Sequence, residues 1–472
     1  MRQNDELPWV PRNPMPYRDQ MKALRSFNAG FEMFRDSGGS VTRVKLGPRW
    51  LMPELVVTNS PQGGRDVLGR PDTFVDKTML HREMRHVLGG NLFDLMHDEW
   101  LPRRRALQPL FTKKHVEAFG GHMAQAAHAV VDTWEEGQRL DLDFECRRLT
   151  LRALGRSVLG IGLDRRADAI GEPLREVLTY IADRATAPIR APRWLPTPAR
   201  ARARAAAATL RALATDVLAA CRADPDLDAP LVRALLAAKD PVTGRGLTDE
   251  EIRDELIVFI AAGHDTTATT LTYALWQLGR NPQIQEAVRA EVAELGDREL
   301  TCADIADLGY TVQVLREALR LCPPAPGAAR VAVRDVVVDG HRVAAGTVLL
   351  FGIYAVQRDP QLWDDPLVFD PERFRPEAAK RLNRWQYLPF GAGPRSCIGD
   401  HFAMLEATLA LATIVRRAEL HSENEEFPVA TPFTMVAASP IWASVCWRRP
   451  QTTEYPGGSA DLPVRAVSTV SP

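Results

Sequence analysis

The chain is poor in cysteine and aromatics and has no long apolar run. Its six cysteines in 472 residues, Cys146, Cys221, Cys302, Cys322, Cys397 and Cys446, are scattered, with no CxxC pair. That spacing excludes the disulfide framework of a small secreted domain and a clustered zinc site. It fits free thiols in a reducing compartment for five of the six. No stretch of about 18 apolar residues occurs, which excludes a spanning helix. Met1 to Trp9 is polar and carries proline but no apolar h-region, so it does not read as a signal peptide. These absences point to the cytoplasm. A net charge of −1 gives no global attraction for nucleic acid, and any charge effect must come from local patches.

What is present is an ordinary globular composition, 45% hydrophobic and 25% charged, sufficient for a large core. No internal repeat and no linker divides the middle. Residues 1–16 read as a Pro-rich lead-in and 17–449 as one domain. Residues 450–472, rich in Gly, Ser, Pro and Thr, read as a disordered tail. Val41–Val57 alternates like a hairpin, with turn signals at Gly47-Pro48 and Met52-Pro53. From Glu99 to Leu300 the periodicity is helical, broken at Gly160–Gly162, Ala187–Pro198 and Asp240–Gly246. A β-rich patch spans Val331–Leu350, with Asp339-Gly340 as its turn. Helix returns over Asp400–Arg417, and a strand-like segment runs from Phe427 to Trp447. The expected fold is mainly α with a minor β part.

The sharpest local signal is Phe390-Gly391-Ala392-Gly393-Pro394-Arg395-Ser396-Cys397-Ile398-Gly399. Glycines let a loop press against a flat ligand. Backbone N–H groups, Arg395 and the start of a helix at Asp400 all favour a thiolate, the form that binds metal. A second signal is Ala262-Gly263-His264-Asp265-Thr266-Thr267 inside a long apolar helix beginning near Asp249. Gly, Asp and Thr are poor helix-interior residues, so the cluster marks function or a bend. Glu317 and Arg320 share a helix face at i, i+3, and Phe369-Asp370-Pro371-Glu372-Arg373-Phe374 follows. Trp100 and Arg104 share another face. Pro102 between them places the helix start close by, with Arg103 and Arg105 read as a solvated basic turn.

The ordered set Phe390, Gly393, Arg395, Cys397 and Gly399 resembles the haem-binding signature of the cytochrome P450 family, and five motifs from Trp100 to Gly399 follow the family order. The resemblance implies a single large domain enclosing a buried haem b (iron protoporphyrin IX) whose metal is held by Cys397. It implies that Phe390, Arg395, Gly393 and Gly399 shape the cofactor loop, and that Trp100, Arg104 and Arg330 meet the haem propionates. Glu317, Arg320 and Arg373 would form a buried structural triad. Thr266 would hydrogen-bond the bound dioxygen and Asp265 would pass protons towards it. The implied reaction is insertion of one oxygen atom from O2 into a lipophilic small molecule such as a fatty acid, terpenoid, steroid or polyketide. The chain is used up by one such domain, so electrons are expected from a separate ferredoxin and an NAD(P)H-dependent ferredoxin reductase.

Phe259, Ala262, Gly263, Ala328 and Phe433, with Met435, are candidates for the pocket wall. His264 reads as a pocket-side or packed residue, and neither it nor His401 as a ligand. Gln357 stands where many relatives have His, with no expected consequence. Arg184, Arg190, Arg193, Arg200, Arg202 and Arg204 cluster with Trp194. They read either as a solvated face or as a lid that attracts a carboxylate-bearing lipid or an anionic membrane. Two alternatives stay open, a peroxide-driven haem enzyme and a non-catalytic haem sensor. Asp265-Thr266 argues for oxygen activation.

Overall fold

The structure, a computed structural model, describes residues 6–45, 47, 54–70, 74–75, 79–159, 167–187 and 190–448. Its centre is one helix, Asp249–Arg280, about 48 Å long at 1.5 Å per residue. Thr248 and Glu251 close its N-terminus as a reciprocal capping box, with Asp249, Glu250 and Glu251 in the first turn facing the positive end of the helix dipole. An apolar helix without a polar stripe has to be buried on every side. From Asp254 to Leu278 this one is, except at Ala262, Gly263, Asp265 and Thr266.

Helices Leu142–Leu154, Pro198–Ala223, Gly309–Leu321 and Asp400–Arg417 pack around the central helix. The last has the boundaries expected from the sequence and is buried without interruption from Leu405 to Val415. Together they form the main core. No helix among the described residues is long and apolar enough to cross a membrane.

The β part sits to one side as a five-stranded sheet in the order Val41–Val44, Leu55–Thr58, Val348–Phe351, Ala328–Ala332, Phe74–Val75. The first two strands pair antiparallel, Val41 opposite Thr58, as the alternation indicates; the intervening turn signals lie largely outside the described residues. Leu55–Thr58 and Val348–Phe351 run parallel. Val336–Val338 and His341–Val343 form the expected hairpin. Asp339 and Gly340 both take positive φ, 49° and 74°, as a type I′ turn requires.

Helix Ala167–Thr186 and helix Pro198–Ala223 flank the expected break, and Thr197 caps the second by accepting from Arg200 N at 3.3 Å. The turn at 240–246 is also present, whereas Gly160–Gly162 and the tail 450–472 lie outside the described residues. Part of the Pro-rich lead-in lies along the sheet: Val10 is buried and donates to the Arg342 carbonyl, and Arg43 N donates to Pro11 O at 2.8 Å.

Two local expectations are corrected. The helix carrying Trp100 begins at His97, so Pro102 lies inside it, where it removes one backbone hydrogen bond. The stretch read as helical with breaks at Gly160–Gly162, Ala187–Pro198 and Asp240–Gly246 also contains the strand Arg139–Asp141, which pairs with Trp442–Trp447. Three residues are too few to show a period of two.

Candidate functional site

The loop before Asp400–Arg417 is shaped by its glycines. Gly391 and Gly393 have φ of 67° and 73°, a region that side chains rarely adopt. Gly393 also has no room, since a Cβ there would lie 2.0 Å from the Leu68 carbonyl oxygen. The turn folds back so that Cys397 N donates to Phe390 O at 2.9 Å. Protein surrounds Cys397 closely enough for desolvation to push its thiol up, opposed by the Gly399 N–H and the Arg104 charge. Its side chain is nevertheless exposed.

Positive charge converges on this loop. Arg104 is half-buried, and burial pulls its guanidinium down while Cys397 and Asp400 act in the opposite sense. Arg395 lies over the Trp100 ring, 4.1 Å from its centroid, and donates to Leu95 O at 3.0 Å. The loop and the helix His97–Leu107 are thereby clamped together. His97, which the sequence reading passed over, stacks on Trp100 at 6.0 Å. Arg330 is half-buried in strand Ala328–Ala332, donating to Ala329 O at 3.0 Å.

Across the core, Ala262, Gly263, Asp265 and Thr266 are the accessible patch on the central helix. Positions 262, 265 and 266 stand at i, i+3 and i+4, on one face. Thr266 Oγ1 donates to Ala262 O at 2.6 Å, a back-bond of the kind that bends helices. Asp265 is bonded by Arg147, which also donates to Asp143 at 2.7 Å. Arg147 was missed from sequence; only its i, i+4 spacing from Asp143 hinted at it. His264 is packed, its Nδ1 3.0 Å from Thr150 Oγ1, and burial pushes it down to about 4. His401 is exposed on the first turn of its helix.

The triad residues meet. Arg320 donates twice to Glu317, each bond 2.7 Å, and Arg373 Nε approaches Glu317 at 3.5 Å. Glu317 and Arg320 have no exposed side-chain surface. Gln357 ties this pair to the segment leading into the cysteine loop. Its amide nitrogen donates to Leu319 O and Arg320 O, both at 3.0 Å, and its amide oxygen accepts from Leu388 N at 2.8 Å.

Other expectations change. Arg103 and Arg105 are not a solvated turn. Arg103 is buried, bonding Glu255 at 2.7 Å and also Glu251, while Arg105 grips Asp240 with two bonds. Each cation finds a carboxylate on a distant segment, which no local spacing reveals. Of the pocket candidates, Ala262, Gly263, Ala328 and Phe433 keep accessible surface. Phe259 is buried edge-on against Phe111 at 5.1 Å, and Met435 is fully buried, so both belong to the core. An aromatic strip joins His81 to Phe93 at 5.3 Å and Phe93 to Phe433 at 6.1 Å. On the same helix as His81, buried Glu83 holds Arg184 at 2.9 Å and Arg193 at 3.3 Å.

A haem fits the donor set. No group of three His, Cys, Asp or Glu that could hold a metal ion exists among the described residues. A lone cysteine in a glycine-shaped loop is compatible with a metal that brings most of its ligands in a macrocycle. Arg104 brings its positive charge close to Cys397 and Asp400.

Comparison with known proteins agrees. The profile of the family Cytochrome P450 matches residues 11–447. Cyclooctat-9-en-7-ol 5-monooxygenase of Streptomyces melanosporofaciens is 35% identical over 81% of this chain and 83% of its own. Pentalenene oxygenase of Streptomyces avermitilis is 31% identical over 83% and 87%. The solved haem domain of cytochrome P450DA superposes with a TM-score of 0.82 at 26% identity, covering 94% of this chain and 99% of that one. From the cysteine loop to the whole-chain match, the chain belongs to the cytochrome P450 family of haem-thiolate monooxygenases.

Proposed function

We propose that Cys397 ligates haem b and that the chain hydroxylates a terpenoid-like hydrocarbon, taking electrons from a ferredoxin and its reductase in the cytoplasm. The observation that carries this reading is an exposed Cys397 in a glycine-shaped loop, with the Gly399 N–H and the Arg104 charge acting on its thiol. When bound, the haem supplies oxygen activation, and thiolate donation favours O–O cleavage.

The chain's own residues bind, orient and move protons. Arg104, with Trp100 and Arg330, would hold the propionates. The Thr266 hydroxyl is back-bonded to Ala262 O at 2.6 Å, so it keeps lone pairs free and must rotate to donate. Asp265 passes protons once it leaves Arg147. Ala262 and Gly263 keep the helix thin where substrate lies. The strip His81–Phe93–Phe433 offers apolar ring surface, which suits a polycyclic hydrocarbon. The relatives named for cyclooctat-9-en-7-ol and pentalenene support that class.

The reduced, CO-bound difference spectrum of the purified protein tests the ligand. The strongly red-shifted Soret band of thiolate ligation is expected, and it should vanish in Cys397→Ser. A histidine-type band in folded protein would refute the assignment. Spin-state shifts on titration with terpenoids then test the substrate class.

A further inference from the structure

Two acids of the central helix, Asp254 and Glu255, are buried side by side, 5% and 0% exposed. Neither belongs to the accessible patch at Ala262 or to the triad. Both face residues 89–95, which join helix Met79–Leu88 to helix His97–Leu107. Those residues are bonded to one another around fully buried Asn91. Asn91 N donates to Asp94 Oδ1 at 2.8 Å, its amide oxygen accepts from Phe93 N at 3.0 Å, and its carbonyl accepts from Leu95 N at 3.0 Å. A segment bonded to itself this closely moves as one body.

The body is fastened from three sides. Leu95 O accepts from Arg395 of the cysteine loop at 3.0 Å, and Arg85 of helix Met79–Leu88 pairs with Asp94 at 3.1 Å. The central helix supplies the third hold. Leu92 N donates to Glu255 Oε2 at 3.2 Å, and the Gly90 N–H acts on the Asp254 carboxyl. Asp254 also lies against Gly89, where a Cβ would fall 2.1 Å from its Oδ2 at a φ of 88°; only glycine admits the carboxylate so close. What the body presents is Phe93, 43% exposed and set between His81 and Phe433. Its ring follows the backbone that the Leu92 N–H fixes.

We propose that Asp254 and Glu255 are positioning residues for substrate, holding residues 89–95 so that the Phe93 ring stands against Phe433 as one wall of the binding strip. The hold itself stands on the contacts above; its effect on ligand affinity rests on the function proposed above. Burial pushes the Glu255 carboxyl up to about 7, with Asp94 adding to the rise and Arg103 and the Leu92 N–H opposing it. Glu255 faces Arg103 from helix His97–Leu107, bonded at 2.7 Å, and Asp94 from residues 89–95. Glu251 shares Arg103, and Arg85 acts through Asp94. As the pH falls through about 7 Glu255 takes up a proton, and its pull on Arg103 and Leu92 weakens.

The test begins with hydrogen–deuterium exchange of the haem-loaded protein. With Glu255 ionised, amides 89–95 should exchange about ten-fold faster in Glu255→Gln than in the parent, while those of Asp400–Arg417 keep the parent rate. Asp254→Asn gives the same reading without touching the Arg103 pair. Corrected for the intrinsic rate, protection of amides 89–95 should fall through about pH 7 in the parent and stay flat in Glu255→Gln. Two haem-iron ligands then read the strip by the Soret shift: imidazole, and clotrimazole, an imidazole bearing three aryl rings. Clotrimazole affinity should fall about ten-fold in Glu255→Gln, with imidazole affinity unchanged. Phe93→Ala should lose as much, and the double variant no more than Phe93→Ala alone, since the carboxylate acts through that ring. An unchanged CO spectrum certifies each variant. Parent-like exchange, equal loss of both ligands, or additive losses in the double variant would overturn the proposal. Should neither azole shift the parent's Soret band, the haem assignment fails and the exchange result still reads the hold.

Discussion

Arg147 joins Asp265 to Asp143, so the carboxylate beside Thr266 is held in an ion pair at the accessible patch of the central helix. Proton delivery then depends on Asp265 leaving that pair, and Asp265→Asn should slow turnover about 100-fold without changing the CO spectrum. Thr266→Ala should instead keep consuming reductant while releasing peroxide in place of product. Stoichiometry of NAD(P)H, peroxide and product with a surrogate ferredoxin pair checks both. Unchanged coupling in Thr266→Ala would remove it from the proton route.

Glu317→Ala leaves the Arg320 guanidinium, with no exposed surface, without its carboxylate. Stranding a buried charge costs about 3–5 kcal/mol. Urea titration followed by haem absorbance should show release at a much lower midpoint, with little change in substrate affinity below it. Arg320 also donates to the carbonyls of Gln357, Pro366 and Val368, and a midpoint within error of the parent would show that these suffice for it.

Gly393→Ala adds a Cβ 2.0 Å from the Leu68 carbonyl oxygen at a φ of 73°. Strained backbone of this kind costs about 1–3 kcal/mol before the clash is counted. Low haem content after expression is expected, and Gly399→Ala, where a Cβ meets nothing within 4 Å, should be milder. Equal haem content in the two variants would contradict the steric account.

Burial disfavours the charged form of His264 and pushes it down to about 4 from an ordinary value of 6.5. Between those values the unfolded chain binds the proton and the folded chain does not. Stability is therefore complete above pH about 6.5 and falls as the pH drops towards about 4, by about 3 kcal/mol in all. His264→Gln should flatten this limb in unfolding curves measured across that window. An unaltered acid limb would assign it to other groups.

Much of this is legible in the sequence. The thiolate loop, the Ala262–Thr267 cluster and the helix Asp400–Arg417 are contiguous, and contiguous patterns carry their own geometry. The hairpin at Asp339-Gly340 was legible because its turn demands positive φ from residues that tolerate it. What escaped notice is long-range. Arg103 with Glu255, Arg147 with Asp265 and Glu83 with Arg184 are each separated by about a hundred residues or more, and an arginine's partner is chosen by the fold. Phe259 and Met435 were read as pocket wall because both are apolar and near the right motifs; only packing distinguishes a wall from the core behind it.

Gln357 was expected to be a neutral departure, and the count of its bonds says otherwise. One amide carries two donor hydrogens and an acceptor oxygen, and here they are matched one for one to two carbonyls and an N–H. A neutral imidazole offers one donor and one acceptor, so a histidine at this position leaves one of the three backbone groups unanswered, at about 1–3 kcal/mol. The residue and the backbone around it form a stoichiometric set. A sequence change that looks conservative in a family pattern must here be accompanied by a rearrangement between Leu319 and Leu388.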